Sequence, residues 1–436
     1  MRILVIAHGH PDLSTGGGEI AAYRQAQELR RQGHATLFLA RAPTGASRAG
    51  TPFSVRAGHP DDVLFHSPAF DRFLNSQRAK WALHEEFRSL LESFRPDAVH
   101  LHHYMHLGLE FIREARKYSA LMPIVMTLHE YMAICDHDGQ MVKTDGRLCE
   151  ASSPLDCHLC FPDKAPQEFF LREQFHKSYF ALVDRFVCPS RFLLERYAAW
   201  GIERAKLLCI ENGQHLPPAA PAPDTDEAAA AASLCRRFGF FGQISRLKGI
   251  DLLFDAIGML DPATANTLGF RIHGSLQWQT DAFRAAFADR LATLGGRVAF
   301  GGPYRAQDVG ALMREVGWVV VPSIWWENSP LVIQEAFAHG RPVIVADIGG
   351  MAEKVRERVN GLHFRARSAV HLARVLAEAA DPALWSACRR RIEPPPSIEA
   401  ATGTHLALYA QIAAEREPLP ATAARPARKG GRAVRA

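Results

Sequence analysis

Short runs of consecutive apolar residues alternate along the chain with stretches whose apolar positions recur every three or four. Residues 2–7 form the first run, and their continuity predicts a strand buried on both faces. Residues 18–31 follow, with Ile20, Tyr23, Ala26 and Leu29 at helical spacing; Gly33 ends the helix and residues 35–40 predict a second strand. Further runs at 98–102, 124–129, 185–188 and 206–210 each adjoin a helical stretch. This alternation predicts a parallel sheet covered on both faces.

The pattern breaks at 216–232, which is rich in Pro and Ala and has no period, and it then restarts. Strands are predicted at 239–241, 270–273, 298–300, 318–321 and 342–345, and helices at 250–260, 281–291, 306–314 and 330–339. The fold class is therefore α/β with two Rossmann-like parallel-sheet domains facing a cleft. The expected boundaries are 1–212 for the first domain, with a Cys-rich insertion at 135–160, then a linker at 213–233 and a second domain at 234–394. A helix at 395–415 is expected to pack back on the first domain, ahead of a disordered basic tail at 416–436. Ligands of such sheets sit beyond the carboxyl ends of the strands, so the loops there carry the functional reading.

One loop stands out. A buried strand ends at Pro322, and a helix is predicted to begin with Ser329 as N-cap and Pro330 at the first helical position. Glu327 then lies in the loop, and Glu335 on an otherwise nearly apolar helix, where a carboxylate needs a partner. Free backbone N–H groups around Leu331 and Val332, with Asn328 and Ser329 before them, offer an anion site. Two glutamates on a capped helix is the plain alternative.

Glu327 and Glu335, separated by seven residues, follow Pro322-Ser323 and Trp326 and precede EAFAHGRPVIVADIGGMAEKV and NGLHF. This pattern resembles the Glu-x7-Glu motif of family-4 retaining glycosyltransferases, which have the GT-B fold. The resemblance spans nearly the whole chain. It includes Gly16-Gly17-Gly18-Glu19, PDAVHLHH at 96–103, TLHEY at 127–131, CPSRFLLERY at 188–197, ENG at 211–213, GQISRLKG at 242–249 and VAFGGPY at 298–304.

The resemblance implies transfer of a sugar from a nucleotide-diphosphate sugar to an acceptor hydroxyl, with retention. It places Gly16, Gly17 and Gly18 opposite the donor diphosphate, and His129, at a strand end, beside the transferred sugar. Lys248 and Arg246, two cations at a strand-to-helix junction, suit a diphosphate that gains charge as the sugar departs. The family has an arginine where this chain has Gln243, which leaves the phosphate contact to Arg246, Lys248 and the helix end. Glu327, His129 and Lys248 are the expected catalytic groups, and Glu335 the expected ribose ligand. A nucleotide-sugar epimerase of the same architecture and a silent nucleotide-sugar-binding protein are the rival readings, the second kept open by Gln243. The loop after the first strand is too long for a dinucleotide fingerprint, and the second strand ends at Arg41, so a nicotinamide dehydrogenase is disfavoured.

Cys135, Cys149, Cys157 and Cys160 crowd the insertion, where four thiolates could hold a structural zinc ion; four free thiols are the equal alternative. No cofactor is expected for catalysis, and no Asp-x-Asp pair suggests a catalytic metal. Composition changes this picture little. The 436 residues are 47% hydrophobic and 22% charged, ordinary for a globular chain. The net charge of +5 equals the excess in the tail from Arg416 onward, so the folded part is near neutral and no nucleic-acid partner is expected. With no signal-like segment and no long apolar run, a cytoplasmic protein is expected. A glycan or lipid-linked acceptor of the cell surface, reached by peripheral contact with the inner membrane, is the expected partner.

Overall fold

In the computed structural model, residues 1–14, 16–42, 51–66, 69–80, 83–217 and 227–416 are described, of residues 227–230 the backbone only. In chain order the strands of the first half are β1 (Arg2–Ala7), β2 (Ala35–Arg41), β3 (Phe53–Arg56), β4 (His59–Phe65), a separate small hairpin of β5 (Phe70–Asp71) and β6 (Ser76–Gln77), then β7 (Ala98–Leu101), β8 (Ile124–Thr127), β9 (Arg185–Cys188) and β10 (Leu207–Cys209). Those of the second half are β11 (Arg237–Phe241), β12 (Gly269–His273), β13 (Val298–Gly302), β14 (Trp318–Val321), β15 (Val343–Ala346) and β16 (Gly361–Phe364).

The first sheet runs β10-β9-β8-β7-β1-β2-β4-β3 and the second β13-β12-β11-β14-β15-β16. Every pair is parallel except β3 with β4. The apolar runs explain this. Ile3 to Ala7 are fully buried, as are Val343 to Ala346, because helices cover both faces. β4 escapes sequence reading because its first three residues are exposed and polar or Pro.

Connectivity fixes where a ligand fits. In the first sheet the chain departs from β1 to β2 on one side and returns to β7 on the other. In the second it departs from β11 to β12 and β13, then crosses to β14. The loops after β11 and β14 therefore part at a topological switch point, which opens a crevice at the carboxyl edge.

One departure from expectation concerns the linker. A helix, Glu227–Leu234, starts inside the stretch read as linker, since its alanine run has the highest helix propensity of any residue. The C-terminal helix, Ile398–Arg416, lies on the first domain, where Leu408, Tyr409 and Ile412 share a core with Ile3, Val5 and Ala26. Arg416 Nε pairs with Asp184 Oδ1 at 2.6 Å; the rest of the expected tail, 417–436, lies outside the described residues. No described helix is long and apolar enough to cross a membrane.

Candidate active site in the interdomain cleft

The loops at the second switch point, 242–249 and 322–330, are packed hard together. Gly249 has φ +75°, and a Cβ on it would sit 1.9 Å from the Pro322 carbonyl oxygen. Only glycine permits that approach. It brings Lys248 to Glu327: Oε1 of Glu327 accepts from Lys248 Nζ at 2.6 Å, Ser323 Oγ at 2.7 Å and Trp325 Nε1 at 2.9 Å. The Gly350 N–H donates to the Glu327 carbonyl at 2.7 Å. Glu327 is thus on a loop, as read, but it is only 5% exposed and satisfies three donors. Lys248 is one-third exposed and is an ion-pair partner of Glu327 as well as a cleft cation. Gln243, Arg246, Lys248 and Trp325 line a cleft cavity of about 670 Å³, to which the first domain contributes Asp138 and Gln140. Arg246 reaches furthest into solvent, at 80% side-chain exposure.

The helix after Glu327 runs Leu331–Ala338, with Pro330 rather than Ser329 at the cap position. Pro330 has φ −59° and ψ 118°, which places it just outside the helix, and the Ser329 hydroxyl is buried with no partner. The expected Ser329 cap is therefore absent, and the tip is left without a side-chain acceptor. Among the described residues nothing accepts from the N–H of Leu331 or Val332. Facing this tip is the start of the helix Gly17–Arg31: a Cβ at Gly17 would lie 3.7 Å from Leu331 Cδ1, and one at Gly18 would lie 3.4 Å from His129. Gly16 is the extended cap residue of that helix, also without a side-chain cap bond. The N-termini of two helices, one from each domain, each with a partial positive charge, thus lie close together in the cleft.

The side chain of Asn328 pegs the domains together. Its Oδ1 accepts from Ser190 Oγ at 2.6 Å, and its Nδ2 donates to the carbonyls of Leu128 and His129 at 3.4 and 3.3 Å. Glu335 has a partner that sequence reading missed. Arg24 Nη2, on the helix of the other domain, lies 3.6 Å from Glu335 Oε1 and its Nη1 donates to Gln214 Oε1 at 2.8 Å. Gln214 in turn donates to Gln334 Oε1 at 2.9 Å. Burial pushes the Glu335 carboxyl above its ordinary range, and Arg24 opposes that. No local pattern marks Arg24, because its partner is remote in sequence.

β8 ends at Thr127, so His129 stands two residues past the strand end rather than on it. Burial, aided by the charge of His8, pushes its imidazole down to about 4. Next to it Glu130 is pushed up to about 8 by burial, against the Met132 N–H and Arg172, and pairs with His103 Nε2 at 3.2 Å. The carboxyl edge of the first sheet is thus a buried patch of imidazoles: His100, His102 and His103 are all held well below their ordinary range by burial.

The four cysteines of the insertion do line one small cavity, together with Ile134, Met141, Val142 and Phe161. Among the described residues, however, no group of three or more His, Cys, Asp or Glu is placed to hold a metal ion, so the zinc reading is not supported. The Cys149 thiol donates to the Ala151 carbonyl at 3.2 Å, and burial pushes the Cys135 and Cys157 thiols up to about 11 and 12. The insertion is also less loop-like than read, since Pro154–Cys160 is helical with Ser153 as its cap. It reaches the second domain through Trp326 Nε1, which donates to the Cys149 carbonyl at 2.9 Å.

Comparison with known proteins gives the family and the fold. Residues 15–216 match the family described as Glycosyltransferase Family 4, and residues 235–381 match the one described as Glycosyl transferases group 1. The D-inositol 3-phosphate glycosyltransferase of Salinispora arenicola is 31% identical over 238 residues, 50% of this chain and 49% of that protein. The chain spans about half the length of this and similar curated relatives. The glycogen synthase of Mycobacterium tuberculosis is 26% identical over 405 residues, covering 87% of this chain and 86% of its own. Among solved structures, Anabaena HepE in complex with UDP and glucose superposes with a TM-score of 0.64 at 16% identity, covering 94% of this chain and 100% of that one. Sucrose-phosphate synthase of Thermosynechococcus elongatus gives 0.68 at 19% identity, covering 95% and 100%. With one family matched in each domain, on two parallel sheets that face a common cleft, the chain belongs to the family-4 glycosyltransferases of GT-B fold.

Proposed function

We propose that the protein transfers a glycosyl group from a nucleotide-diphosphate sugar to an acceptor hydroxyl, with retention at the anomeric carbon, in the building of a cell-surface glycan or glycolipid. The observation that carries this reading is the proximity of the two helix N-termini, Gly17 beside Leu331, with Lys248 on the neighbouring loop. Two positive helix ends held this close favour an anion beside them both. A diphosphate is an anion of suitable size, and its negative charge grows as the glycosidic bond breaks. Donors fixed in place before that step stabilise the transition state more than the ground state.

The remaining groups fall into place around that anion. The N–H groups of Leu331 and Val332 and the backbone of Gly16, Gly17 and Gly18 grip the diphosphate, with Ser329 Oγ available as a further donor. Lys248, Arg246 and Gln243 supply charge and hydrogen bonds at the edge of the cavity. Glu327 orients Lys248 and the sugar hydroxyls, and Glu335 takes the ribose. His129 faces the sugar. The bond from the anomeric carbon to the diphosphate oxygen breaks, a bond from that carbon to the acceptor oxygen forms, and the acceptor proton leaves on the departing diphosphate. A glycan or lipid-linked alcohol enters from the first-domain side, past Asp138 and Gln140.

The test is a panel of UDP-, GDP- and ADP-sugars incubated with the protein, with and without inositol phosphate, sugar phosphates and glucan as acceptors. UDP-glucose is included because HepE holds UDP and glucose. Release of nucleoside diphosphate, with an NMR-defined α-linked product from an α-linked donor, is expected. Interconversion of donor sugars without transfer would make the protein an epimerase, and tight binding without turnover a silent binder.

A further inference from the structure

His129 does not stand alone. Its Nε2 lies 3.0 Å from His102 Nδ1, and His102 Nε2 lies 2.8 Å from Gln25 Oε1. The Gln25 amide nitrogen donates to Tyr409 Oη at 3.1 Å and faces His100 Nδ1 at 3.3 Å. Tyr409 Oη and His100 Nδ1 are 2.6 Å apart, and His100 Nε2 ends the series at Thr127 Oγ1, 2.7 Å away. The imidazoles of His100 and His102 stack with centroids 4.4 Å apart, and those of His102 and His129 with centroids 5.3 Å apart. Gln25, His100, His102 and Tyr409 are all buried.

Proton positions follow from this order. The Gln25 carbonyl has only lone pairs to offer, so His102 carries its hydrogen on Nε2. Burial keeps His102 neutral, and its Nδ1 is then an acceptor. His129 must therefore donate to it from Nε2, which leaves the lone pair of His129 on Nδ1. That atom has no partner among the described residues and is not one of the buried unsatisfied atoms, so it meets the cleft. At the far end Tyr409 donates to His100 Nδ1, and the C-terminal helix thereby locks the series from within the core it shares with the first domain.

We infer that His102, held by Gln25 and by Tyr409 of the C-terminal helix, is a positioning residue that fixes His129 as the Nε2–H tautomer and presents its Nδ1 as an acceptor to a hydroxyl of the transferred sugar. This rests on the transferase reading above. It gives the C-terminal helix a role in the site besides packing: a hydroxyl on its Tyr409 sets the hydrogen-bond direction at His129, three groups away.

The tautomer is read directly by long-range nitrogen–proton correlation of the full chain labelled with 15N-histidine, with His129 assigned by its disappearance in His129→Gln. The wild type is expected to show Nε2–H at His129. Gln25→Leu and Tyr409→Phe are expected to shift it to a mixture and to lower kcat about tenfold, with KM for the donor little changed. Nδ1–H in the wild type overturns the inference, and so does full kcat in a variant whose tautomer has shifted. If no donor supports transfer by the wild type, the functional reading fails, yet the wild-type spectrum still decides the tautomer. That spectrum also suffices if Gln25→Leu does not fold.

Discussion

Glu327 and Lys248 meet at 2.6 Å across two loops that leave neighbouring strands, β14 and β11, at the point where the second sheet reverses its order. Glu327 also takes hydrogen bonds from Ser323 and Trp325 through the same oxygen. Removing the carboxylate leaves these donors facing a void, which costs on the order of 1–3 kcal/mol. Glu327→Ala is therefore expected to lose both turnover and stability, although its residue lies on a loop. Glu327→Gln keeps an acceptor, so its urea midpoint should stay near wild type while turnover falls. Lys248→Ala should lose roughly 10²-fold in kcat, as loss of one fixed donor to a developing charge does. Equal turnover in Lys248→Ala and wild type, measured as nucleoside diphosphate released, would remove Lys248 from the mechanism.

Arg24 and Glu335 join the two domains at 3.6 Å. Arg24→Met leaves Glu335 buried without its cation, and the carboxyl, already pushed up by burial, rises further. A protonated Glu335 accepts less well from ribose hydroxyls. The expected result is a raised KM for the donor with a smaller change in kcat, and a KM that improves as pH rises and Glu335 ionises. Initial rates at several donor concentrations and pH values test this; an unchanged KM would mean that Glu335 does not touch the donor.

Much of this was legible in the sequence, and the reasons differ by residue. The continuous apolar runs of β1, β14 and β15 mark doubly covered strands, so the parallel sheets could be read. Glu335 was conspicuous because a carboxylate on an apolar helix needs a partner. The partner itself, Arg24, was not legible, since 311 positions separate the two in a chain whose numbering alone carries no contact. The bond of the Asn328 side chain to Ser190 was not legible, since an amide beside a helix start suits an anion as well as it suits a peg to another domain. The four cysteines were read by count, and count alone does not say whether thiols are placed to hold an ion.

Stability should rise with pH between about 4 and 6.5. His106, His129 and His405 are each held down to about 4, chiefly by burial. Their unfolded counterparts take up a proton near 6.5, so in that window the unfolded chain binds more protons and stability falls as pH falls. Each group contributes up to about 1.4 kcal/mol per pH unit. Glu130, pushed up to about 8, acts in the opposite sense: above 4.5 the unfolded carboxyl ionises while the folded one keeps its proton. Several imidazoles outweigh it below 6.5; above that it tilts stability downward toward pH 8. Urea midpoints are expected to peak near pH 6.5. A flat response from 4.5 to 6.5 would show that the imidazole patch is hydrated.

The thiols of the insertion should be slow nucleophiles. With Cys135 and Cys157 pushed up to about 11 and 12, the thiolate fraction at pH 8 is minute. Cys209 is exposed, and iodoacetamide is expected to label it ahead of Cys135 and Cys157. Mass spectrometry of timed, quenched samples gives the order, and early labelling of Cys135 would mean that the insertion opens.

Gly249 offers the most direct test of how the two cleft loops are held. Its φ of +75° costs an L-residue about 1 kcal/mol or more. The larger effect is steric, because a methyl group there would stand 1.9 Å from the Pro322 carbonyl oxygen, which is backbone and has no rotamer to change. Gly249→Ala must therefore push loop 242–249 away from loop 322–330, and Lys248 moves with it, away from Glu327. The expected outcome is a lower urea midpoint together with a loss of kcat comparable to that of Lys248→Ala, while nucleotide binding at the 331–338 helix tip is weakened less. Gly258→Ala is the control, since that helical glycine has open space around it and an ordinary φ. If Gly249→Ala matched this control in both stability and turnover, the close contact of the two loops would not be what brings Lys248 to Glu327.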